Sequence, residues 1–366
     1  MRKLVLIALI GHANNDIFRW RKGIDRNVAS CVNSHLVFIE LKRRLEREGH
    51  RVATIDMHDL AEADQIVFCD AWPLEPHFKE FKRRRKTLHA RTSLFLIEPP
   101  ITNDFSHRRS THKLFDRVLT FDPTFVDNKR CFRYHYPENV LTKAPLPVTF
   151  RKKKFLCLLG ANKYSIDERE LYSERKRAAL FFEQTKEGID VYGPDWNGRR
   201  LLRYPFLHVC YRWRSALRQI LRGVLRRLRY VAEVAFNTHP LSKRALRGYS
   251  PLEPVAIMSQ YRFSLCFENG AVPGYASERL YDSMNARCVP IYLGDTEILK
   301  QVPPECYIDM RKFKTYEELY AYLRSIDERR YAQYLRAIGT YLKSAEGKPY
   351  SVTHFCEEFY QKLIKE

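Results

Sequence analysis

The chain has 366 residues, of which 45% are hydrophobic and 29% are charged. This length and apolar content suit two domains, each with its own core, and exclude a disordered chain. The net charge of +21 predicts an anionic partner, which could be nucleic acid, acidic lipid or an acidic small substrate.

The chain up to residue 147 alternates between predicted strands and helices. The apolar run Leu4–Ile10 is short and is followed by no convincing signal-peptide cleavage site, so Lys3–Ile10 is predicted to be a buried parallel strand. Apolar residues at helical spacing predict an amphipathic helix over Asn33–Glu48. The further predicted elements are strands at Arg51–Ile55, Gln65–Asp70, Ser93–Ile97 and Arg117–Phe121 and a basic helix at His77–Thr87. Residues 1–147 are therefore predicted to form a parallel sheet covered on both faces.

A second alternation begins after the linker-like run Pro145-Leu146-Pro147 and extends over residues 152–345. Its predicted strands are Phe155–Leu159, Asp190–Tyr192, Arg262–Phe267 and Cys288–Leu293, and its predicted helices are Arg169–Thr185 and Ser277–Ala286. The tail from Thr315 is predicted to be helical, with residues 346–366 as a C-terminal helix. Two α/β halves predict a ligand cleft at the carboxyl ends of their strands.

A basic insertion, residues 199–247, interrupts the second half, with thirteen cations against the single acid Glu233. Four arginines recur at every fourth position, on a helical arc mostly opposite to the aliphatic residues: Arg214, Arg218, Arg222 and Arg226. Such a helix can lie on an anionic membrane surface, or it can pack on its own domain with a solvated basic face. Nucleic acid is the least favoured partner, because no recognised nucleic-acid motif occurs.

The nine cysteines form no CxxC pair, and several lie within apolar runs. We interpret them as reduced thiols of a cytoplasmic protein. No run approaches the roughly 20 apolar residues of a membrane-spanning helix. The expected location is the cytoplasm, peripheral to the cytoplasmic face of the inner membrane.

Several chemistries lack their motifs in this sequence. There is no GxGxxG, GxxxxGK[ST], HExxH or GxSxG motif, which leaves dinucleotide oxidoreductases, P-loop NTPases, zinc proteases and serine hydrolases unsupported. No two aspartates lie two positions apart, so a DxD metal clamp is absent and no metal site is predicted. A departing diphosphate would need arginines and a helix N-terminus instead.

The segment richest in chemistry runs from Tyr261 to Asp295. It reads as a buried strand ending in Phe267-Glu268-Asn269, a glycine-containing turn, and a helix with Ser277 as N-cap. Arg279 in the first helical turn opposes the helix dipole, which is understandable if it faces a phosphate. Glu278 beside it can accept sugar hydroxyls.

This segment resembles the donor-binding signature of glycosyltransferase family 10, the α-1,3/1,4-fucosyltransferases, in its bacterial type. The family pattern is YKF-x-L-x-FEN, a short loop, GY-x-x-EK and VPI-x-x-G, with Arg279 here where the family usually has Lys. The stretch from Glu170 to Gly193 is similar to the family's entry into the donor domain, which implies that Arg175 binds the diphosphate. Leu96–Pro100 resembles the family's ExP segment, which implies that Glu98 is the general base.

The resemblance implies an α/β, GT-B architecture: two Rossmann-like domains with a cleft between them and a helical C-terminal tail. It implies inverting transfer of L-fucose from GDP-fucose to a saccharide hydroxyl without an essential metal, with the donor held by Asn269, Tyr275, Glu278, Arg175 and Arg279. A lipid-linked glycan such as lipopolysaccharide O-antigen is the expected acceptor.

Alternatives remain open at this point. The donor could be another nucleotide sugar, or the protein could be a non-catalytic saccharide- or lipid-binding protein. Glu98 could be a structural cap or ion-pair partner, and Arg175 could be a surface helix residue. Asn269 and Tyr275 could be turn formers, and Glu278 and Arg279 could form a solvated helix start. Asp70 and Trp72, which follow a strand, are further candidates for the acceptor side.

Overall fold

The computed structural model describes residues 2–19, 34–137, 148–165, 167–196, 241–248 and 254–365. They form two α/β halves, each built on a six-stranded sheet in which the strands run parallel. The strands of the first half are β1 Leu4–Leu9, β2 Arg51–Thr54, β3 Gln65–Cys69, β4 Arg91–Phe95, β5 Arg117–Thr120 and β6 Cys131–Arg133. Their order in the sheet is β2-β1-β3-β4-β5-β6.

Helices cover the first sheet, and their bounds are α1 Ser34–Arg47, α2 Pro76–Arg84, α3 Pro100–Asn103 and α4 Arg109–His112. The apolar arc of α1 that the sequence predicts is buried: Val37, Phe38, Leu41 and Leu45. Phe81 of α2 packs against Phe68 of β3 and Phe115, with ring centroids 4.9 and 5.2 Å apart. Burial of these rings fixes α2 on the sheet.

The second half contains β7 Lys154–Leu159, β8 Asp190–Tyr192, β9 Leu246–Gly248, β10 Tyr261–Phe267, β11 Val289–Leu293 and β12 Ile308–Asp309. Their order is β12-β11-β10-β7-β8-β9. β10 lies centrally between β11 and β7, and it is almost entirely buried because a parallel strand is covered on both faces. The end of the predicted basic insertion lies in this sheet, since Arg247 in β9 pairs with Asp190 in β8.

The described helices of the second half are α5 Tyr172–Glu183, α6 Pro254–Met258, α7 Glu278–Asn285, α8 Tyr316–Ser325, α9 Glu328–Tyr341 and α10 Val352–Phe359, the last continued by a π-helical turn over Tyr360–Lys365. The final helix packs on the first half: the rings of Phe355 and Phe359 lie 5.4 and 5.9 Å from that of Phe95 in β4. Arg44 of α1 bonds Glu357 at 2.9 Å. The chain therefore crosses back to the first core before it ends.

The predicted alternation of strands and helices is confirmed in both halves, and the tail is helical as expected. β4 ends at Phe95 rather than at the predicted Ile97, because the N–H of Ile97 bonds the Asp70 carboxylate at 3.1 Å. The seven cysteines in the described ranges are buried and free of disulfides, as predicted: Cys69, Cys131, Cys157, Cys266, Cys288, Cys306 and Cys356.

The predicted membrane-facing arginines, Arg214, Arg218, Arg222 and Arg226, lie outside the described residues. Within the ranges that are described, no helix has the length and apolar character needed to cross a bilayer.

Candidate functional site

The segments that follow β4, β5 and β10 meet where the two halves touch. A Cβ on Gly270, just after β10, would lie 1.7 Å from Cδ1 of Ile101 in α3. Gly274 has a φ of +72°, and a Cβ there would lie 2.2 Å from the carbonyl oxygen of Phe121. Glycine is required at Gly274, because its φ is positive and a side chain would push the backbone of the first half away. At Gly270 a Cβ would also lie 2.8 Å from the carbonyl oxygen of Arg169, so a side chain there would displace the backbone.

Tyr275 joins this junction to the candidate donor side. Its ring lies 5.2 Å from that of Phe121, and its hydroxyl accepts a 3.3 Å hydrogen bond from Nδ2 of Asn269. Burial raises the pKa of Tyr275 well above its usual range, and the nearby charges of Glu268 and Glu98 act in the same direction. The structure thus brings Asn269 and Tyr275 together, close to Glu98 of the other half.

Arg175 of α5 is only 2% exposed, so its interpretation as a surface residue is wrong. Its Nη2 donates to the carbonyls of Phe267 and Glu268 at 2.6 and 3.0 Å and approaches Oδ1 of Asn269 at 3.4 Å. Burial, assisted by the charge of Arg279, lowers the pKa of Arg175 to about 10. The guanidinium therefore binds the backbone at the carboxyl end of β10 and places a positive charge there.

The N-terminus of α7 is built around a buried carboxylate. Ser277 caps the helix as predicted, accepting from the N–H of Arg279 at 3.4 Å. Glu268, which has no solvent exposure, accepts from the Ser277 N–H at 2.9 Å, from its hydroxyl at 2.7 Å and from Nη1 of Arg279 at 3.3 Å. This ion pair fixes where the guanidinium of Arg279 lies.

The charged groups at the N-terminus of α7 shift one another's pKa values. Burial raises the pKa of Glu268, and the charge of Arg279 opposes that rise. Burial also lowers the pKa of Arg279, but the carboxylates of Glu278 and Glu268 outweigh it, so its pKa is raised overall. Arg279 therefore stays a cation at the N-terminus of α7, where an anion would also meet the positive end of the helix dipole.

Glu98 follows β4 on the opposite side of the junction and is half-buried. Its N–H donates to Oδ2 of Asp70 at 3.0 Å, and its carbonyl accepts from Nε2 of His107 at 2.8 Å. Among the described residues its carboxylate has no hydrogen-bonding or ion-pair partner, and that of Glu278, although its charge raises the pKa of Arg279, accepts no hydrogen bond. The structural ion pair considered for Glu98 is thus not found in the described ranges, and both carboxylates can accept from a ligand.

The sequence makes Asp70 a candidate for the acceptor side, but the structure buries it. It is 4% exposed, and its carboxylate accepts the N–H groups of Ile97 and Glu98. Asp70 therefore holds the segment that carries Glu98 and does not face the junction surface itself.

Sequence reasoning assigned no role to Glu268 or His107. The one available signal for Glu268 is its position directly after the buried strand β10, since a buried carboxylate requires a partner. In the described part of the chain, no group of three His, Cys, Asp or Glu side chains is placed to hold a metal ion.

Part of the chain matches known proteins in sequence. Residues 238–362 match the family model described as the glycosyltransferase family 10 (fucosyltransferase) C-terminal domain. The α-(1,3)-fucosyltransferase FucT of Helicobacter pylori is 30% identical over 122 residues, which are 33% of this chain and 24% of that protein. An α-(1,4)-fucosyltransferase of Arabidopsis thaliana is 39% identical over 71 residues, 19% of this chain and 18% of that protein. The matches thus span about a quarter or less of these relatives.

Solved structures show the same fold over the whole chain. An α1,3-fucosyltransferase with GDP-fucose aligns with a TM-score of 0.52 at 13% identity, covering 100% of this chain and 91% of that one. Anabaena HepE in complex with UDP-glucose aligns with a TM-score of 0.53 at 9% identity, covering 99% of both chains. The predicted GT-B architecture is confirmed, and residues 238–362 resemble the C-terminal domain of the family 10 glycosyltransferases.

Proposed function

We propose that the protein is an inverting glycosyltransferase that moves L-fucose from GDP-fucose to a hydroxyl group of an acceptor saccharide. The observation that carries this proposal is the meeting of two sets of groups at one junction. Glu98, with its free carboxylate, comes from the first half, and the α7 N-terminus with Arg279 comes from the second.

In the proposed reaction, the oxygen of the acceptor hydroxyl bonds to the anomeric carbon of the donor sugar. At the same time, the carboxylate of Glu98 takes the proton of that hydroxyl. The bond from that carbon to the β-phosphate oxygen breaks, and GDP leaves from the opposite face. A β-linked donor then gives an α-linked product. No group of the protein becomes covalently attached to the sugar.

The departing diphosphate requires fixed positive charge. Arg279 and the N-terminus of α7 supply it directly, and Arg175 adds charge from beneath β10. Glu278, which is partly exposed at the first position of α7, can accept hydroxyl hydrogens of the sugar. Asn269 and Tyr275 complete the donor side of the junction.

The test is the replacement Glu98→Gln, which keeps the size of the side chain but removes its basicity. We expect turnover to fall by about 10²- to 10⁴-fold, with GDP affinity in calorimetry unchanged, because the donor groups lie in the other half. Glu305→Gln, at an exposed glutamate, is the control and should keep native turnover. Near-native turnover of Glu98→Gln would overturn the base assignment.

A second candidate is the same reaction with another nucleotide sugar, which is favoured by equal structural similarity to a protein bound to UDP-glucose. A panel of GDP-fucose, GDP-mannose and UDP-glucose with mixed glycan acceptors, read by mass spectrometry, decides between donors. Transfer from UDP-glucose alone would exclude fucose. A failure to transfer or hydrolyse any donor would favour the non-catalytic binding protein.

We further propose that the acceptor is a lipid-linked bacterial glycan, such as lipopolysaccharide O-antigen, used at the cytoplasmic face of the inner membrane. The support is the arginine-rich amphipathic pattern around Arg214, Arg218, Arg222 and Arg226. Replacing these four arginines by glutamine should weaken co-sedimentation with vesicles containing phosphatidylglycerol and leave turnover on a soluble acceptor unchanged. Unaltered vesicle binding would argue against the membrane role.

A further inference from the structure

Two buried side chains hold the backbone on either side of Glu98. The carboxylate of Asp70 accepts from the N–H groups of Ile97 and Glu98 at 3.1 and 3.0 Å. On the other side, Nε2 of His107 lies 2.8 Å from the carbonyl oxygen of Glu98. Both peptide groups that flank the Glu98 Cα are thus fixed by side chains from other segments.

The backbone of Asp70 is unusual for a residue with a side chain. Its φ is +60°, a left-handed conformation that asparagine and aspartate adopt more readily than most other non-glycine residues. Its own N–H bonds the carbonyl of Phe95 at 2.9 Å, so Asp70 is anchored to the end of β4. The conformation turns the carboxylate towards the N–H groups of Ile97 and Glu98, which lie further along the same segment.

His107 has a defined role in the pair of contacts. Because its partner is a carbonyl oxygen, Nε2 must carry the hydrogen and donate it. Burial lowers the pKa of His107, with the bond to the Glu98 carbonyl opposing that shift, which favours the neutral ring. The residue after Glu98 is Pro99, which further restricts the Glu98 backbone.

We propose that Asp70 and His107 are positioning residues that set the direction of the Glu98 carboxylate, an inference that rests on the proposed role of Glu98 as base. A general base must reach the acceptor hydroxyl within hydrogen-bonding distance. Misplacement by about 1 Å can cost about 10²-fold in rate. With both flanking peptide groups fixed, only the side-chain torsions of Glu98 still have to be fixed when the substrate binds.

The test is a double-mutant cycle between Asp70→Asn and Glu98→Gln. Asparagine tolerates the φ of +60°, but its amide supplies one acceptor oxygen for the two N–H groups. We expect Asp70→Asn to lower kcat by about 10- to 100-fold, with the KM for donor and the GDP affinity unchanged. In a protein that already carries Glu98→Gln, Asp70→Asn should lower kcat by less than about twofold. Asp70 acts only by positioning the Glu98 carboxylate, and that carboxylate is absent from this background.

Asp127→Asn is the matched control. Asp127 also accepts backbone N–H groups of its own loop, those of Lys129, Arg130 and Cys131. It lies shortly before the amino end of β6, whereas Glu98 lies beyond the carboxyl end of the parallel strand β4. Its replacement should leave kcat unchanged.

His107→Gln tests the contact with the Glu98 carbonyl independently. It should lower kcat and leave the GDP affinity unchanged, and in the Glu98→Gln background it should cause no further loss of kcat. GDP binding also reports folding in each variant, and Asp70→Gly, which accepts the same φ, replaces Asp70→Asn if that protein does not bind GDP. A kcat within twofold of the native value in these variants, or equal losses in both backgrounds, would overturn the positioning role. Full turnover of Glu98→Gln alone would instead overturn the base assignment, and the positioning role with it.

Discussion

The ring of Phe121, at the end of β5, lies 5.2 Å from the ring of Tyr275, which precedes α7, with the two planes inclined by 58°. Phe121 also contacts His107, whose ring is 5.6 Å away. A continuous line of packed rings therefore runs from the residue that holds Glu98 to the residue that contacts Asn269. The geometry of the junction depends on this packing.

Phe121→Ala should therefore affect stability and donor binding together. Removing a buried phenylalanine costs about 3–5 kcal/mol, and Tyr275 would lose its partner in the other half. We expect a lower free energy of unfolding in denaturant titrations and a weaker affinity for GDP in calorimetry. Phe125→Ala, at a half-buried ring nearby, should cost less and leave GDP affinity unchanged. Equal effects of the two replacements would contradict this account.

Two glycine-to-alanine replacements should change stability in opposite directions. Gly274→Ala meets both a φ of +72° and the carbonyl of Phe121 at 2.2 Å, so we expect a loss of more than about 1–2 kcal/mol. Gly339 lies in α9, where an added Cβ would have no neighbour within 4 Å, and alanine there should stabilise by about 0.5–1 kcal/mol. Thermal unfolding of the two variants checks the signs, and a stable Gly274→Ala protein would refute the close contact.

Replacing Glu268 should be more harmful by alanine than by glutamine. Glu268→Ala leaves Arg279 without its buried partner and Ser277 without an acceptor, which should cost about 3–5 kcal/mol. Glu268→Gln keeps one acceptor oxygen and the shape, so a loss of about 1–3 kcal/mol is expected. Both should weaken GDP binding, since Arg279 loses its fixed orientation. Denaturant unfolding and calorimetry measure the two effects, and native GDP affinity in both variants would count against the role given to this ion pair.

His112 should contribute to acid sensitivity. Burial, together with the charge of His107, lowers its pKa from 6.5 to about 4. Between these values the unfolded chain binds the proton and the folded protein does not, so this contribution to stability is present above pH 6.5 and is lost as the pH falls towards 4.

His112→Gln should flatten the dependence of unfolding free energy on pH in that window. The slope should decrease by at most about 1.4 kcal/mol per pH unit, the value for one proton. Denaturant titrations at a series of pH values measure both slopes, and parallel curves for the two proteins would show that His112 is not buried as a neutral ring.

Much of the fold could be predicted because local patterns determine it. The buried run of β10, the helical spacing of α1 and the Ser277 cap each follow from neighbouring residues, and the structure has all three. The family signature likewise lies in one continuous segment, which is why it could be recognised from sequence.

The contacts of the site could not be predicted in the same way. Arg175 bonds a carbonyl 92 positions away, and whether its guanidinium meets a ligand or the backbone depends on how α5 docks against β10. Asp70 is a candidate for the acceptor side in the sequence because it follows a strand. Its left-handed backbone and its burial, which decide its actual role, have no signature in a single sequence.

The return of the C-terminal helix to the first half has a consequence for synthesis on the ribosome. The first sheet is translated early, but Val352, Phe355, Phe359 and Leu363 complete its core. Until these residues emerge, a nascent chain carries an uncovered apolar surface next to β4 while the entire second half is being made. Premature termination before Val352 should therefore yield a chain prone to aggregation, even though every strand of both sheets has already been translated.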